Sequence, residues 1–185
     1  MASESEIRDL VRRVVDEIAK ESEPSPREVA RSAEVAVGAD HGGFRLKEKL
    51  VAHLRDQGFA VVDCGTSSHE SVDYPDFAHA VATRVADGSC ECGIVIDGAG
   101  IGSSITANKV PGVRAALCYD ISSARNSREH NHANVLTLGA SLIGEGLARQ
   151  IVDTWLQTPW GPGRHARRVE KIDEVERRYA SRKKA

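Results

Sequence analysis

Short, β-branched apolar runs alternate with helical patterns from Glu34 to about Thr158, and this alternation restricts the fold more than any other feature of the chain. The runs are EVAVGA (34–39), FAVVD (59–63), GIVID (93–97), VRAALC (113–118) and NVLTL (134–138). Helix-period segments cover 43–57, 76–87, 103–109, 121–129 and 143–156. In the first of them Leu46, Leu50, Val51 and Leu54 share one face, the spacing of an amphipathic helix. Strands apolar on both sides and separated by helices predict a parallel sheet covered on both faces. Right-handed crossovers then arrange five strands as a Rossmann-like three-layer α/β sandwich. A charged pattern over 164–185, with Val169, Ile172, Val175 and Tyr179 as its apolar positions, predicts a C-terminal helix that packs on a neighbour.

Ahead of this body, residues 4–20 place Ile7, Leu10, Val11, Val14, Val15 and Ile18 at amphipathic helical spacing. Residues 21–32 (ESEPSPREVARS) are polar, carry Pro24 and Pro26, and read as a linker. A helix this short is marginal in water, so its apolar stripe must dock on its own body or on a partner. The chain thus divides into a leader (1–20), a linker (21–32) and a body (33–185). Its 25 basic and 27 acidic side chains leave a net charge of −2, which argues against nucleic-acid or membrane binding. No apolar run approaches a bilayer-spanning length. Nor does MASESEIRDL show the basic start and apolar core of a secretory signal. Four cysteines in a chain of this size do not read as a disulfide framework, and a cytoplasmic setting follows.

In open α/β sheets chemistry gathers at the carboxyl ends of the strands. Strand one ends in Gly38-Ala39-Asp40-His41-Gly42-Gly43 and strand two in Asp63-Cys64-Gly65-Thr66. Strand three ends in Asp97-Gly98-Ala99-Gly100-Ile101-Gly102-Ser103-Ser104, and beyond strand four comes Ser127-Arg128-Glu129-His130-Asn131-His132. All four stretches are expected on one rim. Glycines at 98, 100 and 102 allow a tight turn and close approach to a ligand. The helix that follows offers N–H groups to a phosphate or to an oxyanion formed during reaction. Asp97 stands at the mouth of that nest, and a carboxylate beside an oxyanion nest suffices to move a proton on carbon next to a carbonyl.

Other readings stand beside this one. Taken alone, Asp40-His41 reads first as a turn with a helix cap. Cys90-Glu91-Cys92 with His130-Asn131-His132 is a weak metal pattern without a recognised ligand spacing. Cys64 and Cys118 read as buried fillers. Gly98-x-Gly100-x-x-Ser103, with Asp120 after the next strand, approximates a dinucleotide fingerprint and keeps an oxidoreductase as the alternative. Against it, the loop follows the third strand, and Ser103 takes the place of the third glycine.

Several stretches in order resemble the ribose-5-phosphate isomerase B family, which includes the galactose-6-phosphate isomerase subunits. They are GADHGGFRLKEKL (38–50), DCGT (63–66), DYPDFA (73–78), GAGIGSSITANKVPGVRAALC (98–118), SARNSREHNHANVLTLG (123–139) and GRHARRVEKI (163–172). The resemblance implies a metal-independent, cofactor-free aldose–ketose isomerase that interconverts ribose 5-phosphate and ribulose 5-phosphate through an enediol(ate). It implies Asp97 and His130 as catalytic residues, with Asp40 assisting His130 in ring opening. Substrate-binding positions would be Asp40, His41, Gly98, Ala99, Gly100, Ile101, Gly102, Ser103 and Asn131. Arg164 and Arg168 would bind the phosphate, and His130 would reach the site from a second copy in a homodimer or tetramer.

The sequence departs from the family where the base sits. One branch carries cysteine at the position of Asp97 and another carries glutamate at that of Ser103, so Asp97 is the base expected here. Ala99 replaces a hydroxyl-bearing residue, and Ser141 stands where a further phosphate-side arginine is common. These changes leave a tetrose or hexose phosphate as the alternative substrate. The leader and linker resemble the encapsulation peptides that carry enzymes into bacterial microcompartments, which makes shell proteins its expected partner. An oligomerisation helix or a plain extension is the other reading.

Overall fold

A computed structural model describes residues 34–182, with side chains to residue 180. The leader helix expected over 4–20 and the linker over 21–32 lie outside the described residues. The chain runs β1 (Glu34–Ala39), α1 (Phe44–Asp56), β2 (Ala60–Asp63), α2 (Tyr74–Ala86), β3 (Cys92–Asp97), α3 (Ile101–Ala107), β4 (Ala115–Leu117), α4 (Ile121–Asn131), β5 (Val135–Gly139), α5 (Glu145–Gln157) and α6 (Arg164–Arg182). The five strands form one parallel sheet in the order β2-β1-β3-β5-β4. The Rossmann-like three-layer α/β fold expected from the alternation is the fold observed. Strand four is shorter than its apolar run, three residues rather than six.

Alternation along each strand divides the core in two. Val35, Val37, Ala39, Cys92, Ile94, Ile96, Leu136 and Leu138 meet α1 and α5 on one face. Ala36, Val95 and Val135 meet α2 and α3 on the other. The face of α1 read from the sequence is buried as expected, together with Lys47. Emptying a position such as Leu50, fully buried beneath α1, costs about 2–5 kcal/mol by the usual range for core truncations. Lys47 is tolerated inside because both oxygens of Asp63 stand 2.7 Å from its Nζ. One of those oxygens also accepts the Gly65 N–H, so the pair fixes the turn leaving β2.

The C-terminal helix packs on its own chain as well as facing outward. Val169 is buried, Arg114 meets Asp173 at 3.2 Å, and Glu176 accepts the Gly112 N–H at 3.0 Å. Ile172, Val175 and Tyr179 remain exposed along its outer face.

Candidate functional site

The central strand, β3, delivers Asp97 to the carboxyl rim, between β1 on one side and β5 on the other. Helix α1 leaves β1 toward one face of the sheet and α3 leaves β3 toward the other. A crevice opens where connections diverge in this way. Asp97 is only 5% exposed, and four donors surround its carboxylate. One oxygen accepts the N–H groups of Ala99, at 2.7 Å, and of Gly100. The other accepts the Ser103 N–H at 3.0 Å and the Ser103 hydroxyl at 2.5 Å. Asp97 therefore acts as the cap of α3 from upstream, satisfying donors that the first helical turn cannot pair internally.

Gly100 makes this wrap possible. Its φ is 76°, and an added Cβ would stand 2.5 Å from Leu117 Cδ1 and 2.9 Å from the Leu138 carbonyl carbon. Of the three glycines in the nest it alone has positive φ. Gly102 serves close approach instead: the Tyr74 ring lies where its Cβ would be, with Cζ 2.4 Å away. The Tyr119 hydroxyl donates to the Ala99 carbonyl at 3.0 Å and ties the loop to the end of β4.

Asp40 and His41 join this rim from β1. Asp40, 8% exposed, accepts the Gly43 N–H at 2.9 Å, so the helix-cap reading of this residue describes its contact. His41 is exposed; its Nδ1 lies 3.2 Å from the Val72 carbonyl oxygen and 3.3 Å from the Val72 nitrogen, pinning the segment before α2. Gly42 and Gly98 abut: a Cβ on Gly42 would stand 3.6 Å from the Gly98 nitrogen. Asp40, His41 and residues 97–103 thus form one cluster.

His130 and Asn131 do not belong to it. The expectation that 127–132 share the carboxyl rim is corrected by the direction of α4. Its eleven residues start at the Asp120 cap and run back about 16 Å at helical rise. Its far end meets the starts of β4 and β5, where Ala133 N–H donates to the Ser127 carbonyl and Asn134 N–H to the Arg114 carbonyl. His130 stacks on His165 there, with ring centroids 4.2 Å apart and planes 6° from parallel. Its Nδ1 lies 2.9 Å from Asn126 Nδ2. Asn131, exposed, approaches the Asn126 carbonyl oxygen at 3.4 Å.

Arg164 and Arg168 stand at the same end. The 158–163 turn is tied to α4 by the Gly161 N–H donating to the Glu129 carbonyl at 2.9 Å, and α6 starts immediately after. Both arginines are exposed, and among the described residues no carboxylate pairs with either. His165 is buried between them. Burial, then the neighbouring His130 and Arg164, hold its imidazole below the usual histidine range. A single chain therefore carries two clusters at opposite rims, one acidic and buried, the other basic and open.

The remaining candidates resolve by contact. Asp120 accepts the Ser123 N–H at 2.7 Å in a capping box, so the acid of the dinucleotide fingerprint is a helix cap. The Asp97 carboxylate takes N–H groups that a pyrophosphate would need. Among the described residues no group of three or more His, Cys, Asp or Glu side chains stands together as a metal site. Cys118 is buried and Cys64 half-buried, and burial raises both thiols. Sequence reasoning missed Tyr74, Tyr119 and His165. The DYPDFA and GRHARRV stretches contain two of them, but nothing in either spacing shows a ring lying over Gly102 or under His130.

Comparison with known proteins gives the family. Residues 35–172 match the family described as Ribose/Galactose Isomerase. The Escherichia coli K12 protein named ribose-5-phosphate isomerase B is 49% identical over 144 residues, covering 78% of this chain and 97% of the relative. The solved ribose-5-phosphate isomerase B of Clostridium thermocellum is 53% identical with a TM-score of 0.78, covering 79% of this chain and 99% of that one. The Mycoplasma genitalium structure titled ribose-5-phosphate isomerase B with bound ribulose-5-phosphate is 39% identical, with a TM-score of 0.75 and coverage of 78% and 96%. With a model match over residues 35–172 and nearly the whole length of these relatives covered, the chain belongs to the ribose/galactose isomerase family.

Proposed function

We propose that this chain is a ribose-5-phosphate isomerase that moves a proton between C2 and C1 of the open-chain sugar through an enediol(ate). The observation that carries the reading is the Asp97 carboxylate, buried at the crevice inside the 98–103 nest of a member of this family. Asp97 takes the proton from C2 and returns it to C1. N–H groups of the turn not committed to Asp97 hold the developing oxyanion, the role fixed dipoles perform in such steps. Neither a metal nor a cofactor enters the scheme.

The second part of the proposal is that each site uses two copies of the chain. His130 and Asn131, with the phosphate forks Arg164 and Arg168, face the carboxyl rim of a partner subunit, whose Asp40 and His41 complete ring opening and binding. Two observations support this. The clusters lie at opposite rims of one chain, and among the described residues neither arginine has an acidic partner, as guanidinium groups kept for a phosphate would.

The third part concerns the leader. The family match begins at residue 35, so the stripe of Ile7, Leu10, Val11, Val14, Val15 and Ile18 is not needed for the core. Such a stripe suits docking in a groove, here on a microcompartment shell protein. Removing residues 1–20 should leave turnover unchanged and end co-purification with shell. Loss of turnover would make the leader part of the enzyme instead.

The first experiment is conversion of ribose 5-phosphate to ribulose 5-phosphate by wild type and by Asp97→Asn without added metal. Turnover in the first and its near-total loss in the second is the expected result. A wild type that turns over only a tetrose or hexose phosphate would keep the chemistry and change the substrate.

A further inference from the structure

The carboxylate proposed as the base is held by more donors than a working base can keep. Two oxygens offer about four in-plane lone-pair positions, and four donors reach them. Three are backbone N–H groups of Ala99, Gly100 and Ser103, fixed by the turn and by the helix that follows. The fourth is the Ser103 hydroxyl, the only one attached to a rotor.

We infer that Ser103 is the positioning residue of Asp97, its hydroxyl being the one donor that leaves the carboxylate when the base accepts a proton. This rests on the reading of Asp97 as base. Ser103 is fully buried, so its side chain acts on the reaction through Asp97 and not through the sugar. Its position in α3 gives the hydroxyl somewhere to go. A helical serine can turn toward the carbonyl four residues back, here that of Ala99, which already accepts from Tyr119. While Ser103 donates, the charged carboxylate is favoured and all its lone pairs are in use. When it swings away, a lone pair on Oδ2 opens and the carboxylate becomes the stronger base. The C2 proton moves to that oxygen as the enediolate forms and then on to C1, while the O2 hydroxyl proton passes to O1 within the enediolate, so nothing is consumed or released overall.

The test compares pH profiles of kcat/KM, with KM measured separately, for wild type, Ser103→Ala, Ser103→Cys and Asp97→Asn. Alanine removes the donor and cysteine supplies a weaker one. The acid limb should therefore move to higher pH in the order wild type, Ser103→Cys, Ser103→Ala, with KM for ribose 5-phosphate within about twofold throughout. Ser103→Cys keeps the test alive should the alanine variant fold poorly. Acid limbs that coincide in all three chains would overturn the inference, as would a change confined to KM, which would make Ser103 a substrate contact. Full turnover by Asp97→Asn would remove the base reading itself and the inference with it. The two failures are distinct, because the profiles of the Ser103 variants do not enter the second.

Discussion

The acidic and the basic clusters are built by opposite means. At the carboxyl rim, Asp97, Asp40 and Ser103 are buried, and backbone N–H groups hold both carboxylates. These donors belong to strand-to-helix turns and to the first turn of the helix that follows, so the site's geometry follows directly from the sheet. At the other rim, His130 is half-buried, Asn131, Arg164 and Arg168 are exposed, and the contacts are between side chains on α4 and α6. Proton transfer at carbon demands a base fixed within tenths of an ångström and shielded from water, which the first kind of construction supplies. Capturing a phosphate demands charge that reaches out, which the second supplies. On the proposed reading, the half that does chemistry is pre-organised by the fold, while the half that binds is to be ordered by a partner and a ligand.

The comparison breaks most decisively at Asp97. Replacing it with asparagine keeps the size and one of the two accepting oxygens but removes the base, and turnover should fall by about 10²–10⁴-fold, the usual span for a general base. Unfolding midpoints measured alongside should fall little, since the amide oxygen still accepts from two of the donors. A large drop in stability would show that Asp97 is chiefly a cap of α3.

Sharing of sites between copies is sharpened by mixing. Asp97→Asn and His130→Ala are each expected to be nearly inactive alone. Refolded or co-expressed together, they form mixed dimers in which one of the two sites is intact. With random pairing, activity should return to about a quarter of wild type in a two-fold dimer. If both clusters served one site within a chain, mixing would restore nothing. At the basic rim, Arg164→Ala and Arg168→Ala should each raise KM for ribose 5-phosphate about ten- to a hundredfold with kcat nearly kept, the scale of one charged hydrogen bond. A loss carried by kcat would move these arginines from binding into the chemistry.

How much of this was legible in the sequence depended on the direction of the chain. The apolar alternation in β1, β3 and β5 gave the parallel sheet, because a buried strand leaves few polar positions to misread. Asp97 at the nest followed from the same pattern. That its carboxylate would turn into the nest was latent in the Asp-x-Ala-Gly spacing, which is that of an aspartate bonding its own backbone two and three residues on. His130 was identified as a residue but assigned to the wrong rim. Position along the chain after β4 was read as position in space, and an eleven-residue helix carried it to the other end. The leader has a clear period, and it lies outside the described residues.

The smallest expected effect concerns His165, which ties the basic cluster to the fold. Its ring is buried against His130, and among the described residues its Nδ1 meets no hydrogen-bond partner. Burial, with positive charge from His130 and Arg164 beside it, lowers its proton affinity below the ordinary value of 6.5. The unfolded chain therefore binds a proton at this position more readily than the folded one. Stability from the neutral ring is present above pH 6.5 and is lost as the pH falls through and below that value toward the depressed folded pKa. Thermal melts should show a midpoint that declines on acidification across this window, and His165→Gln should flatten the decline, since glutamine takes up no proton. The lowered midpoint should be accompanied by rising KM, because the ring that must charge is the one stacked on His130 and adjacent to Arg164. If His165→Gln leaves the pH slope of the melt unchanged, another histidine dominates acid lability. The buried ring would then be packing for α6 alone.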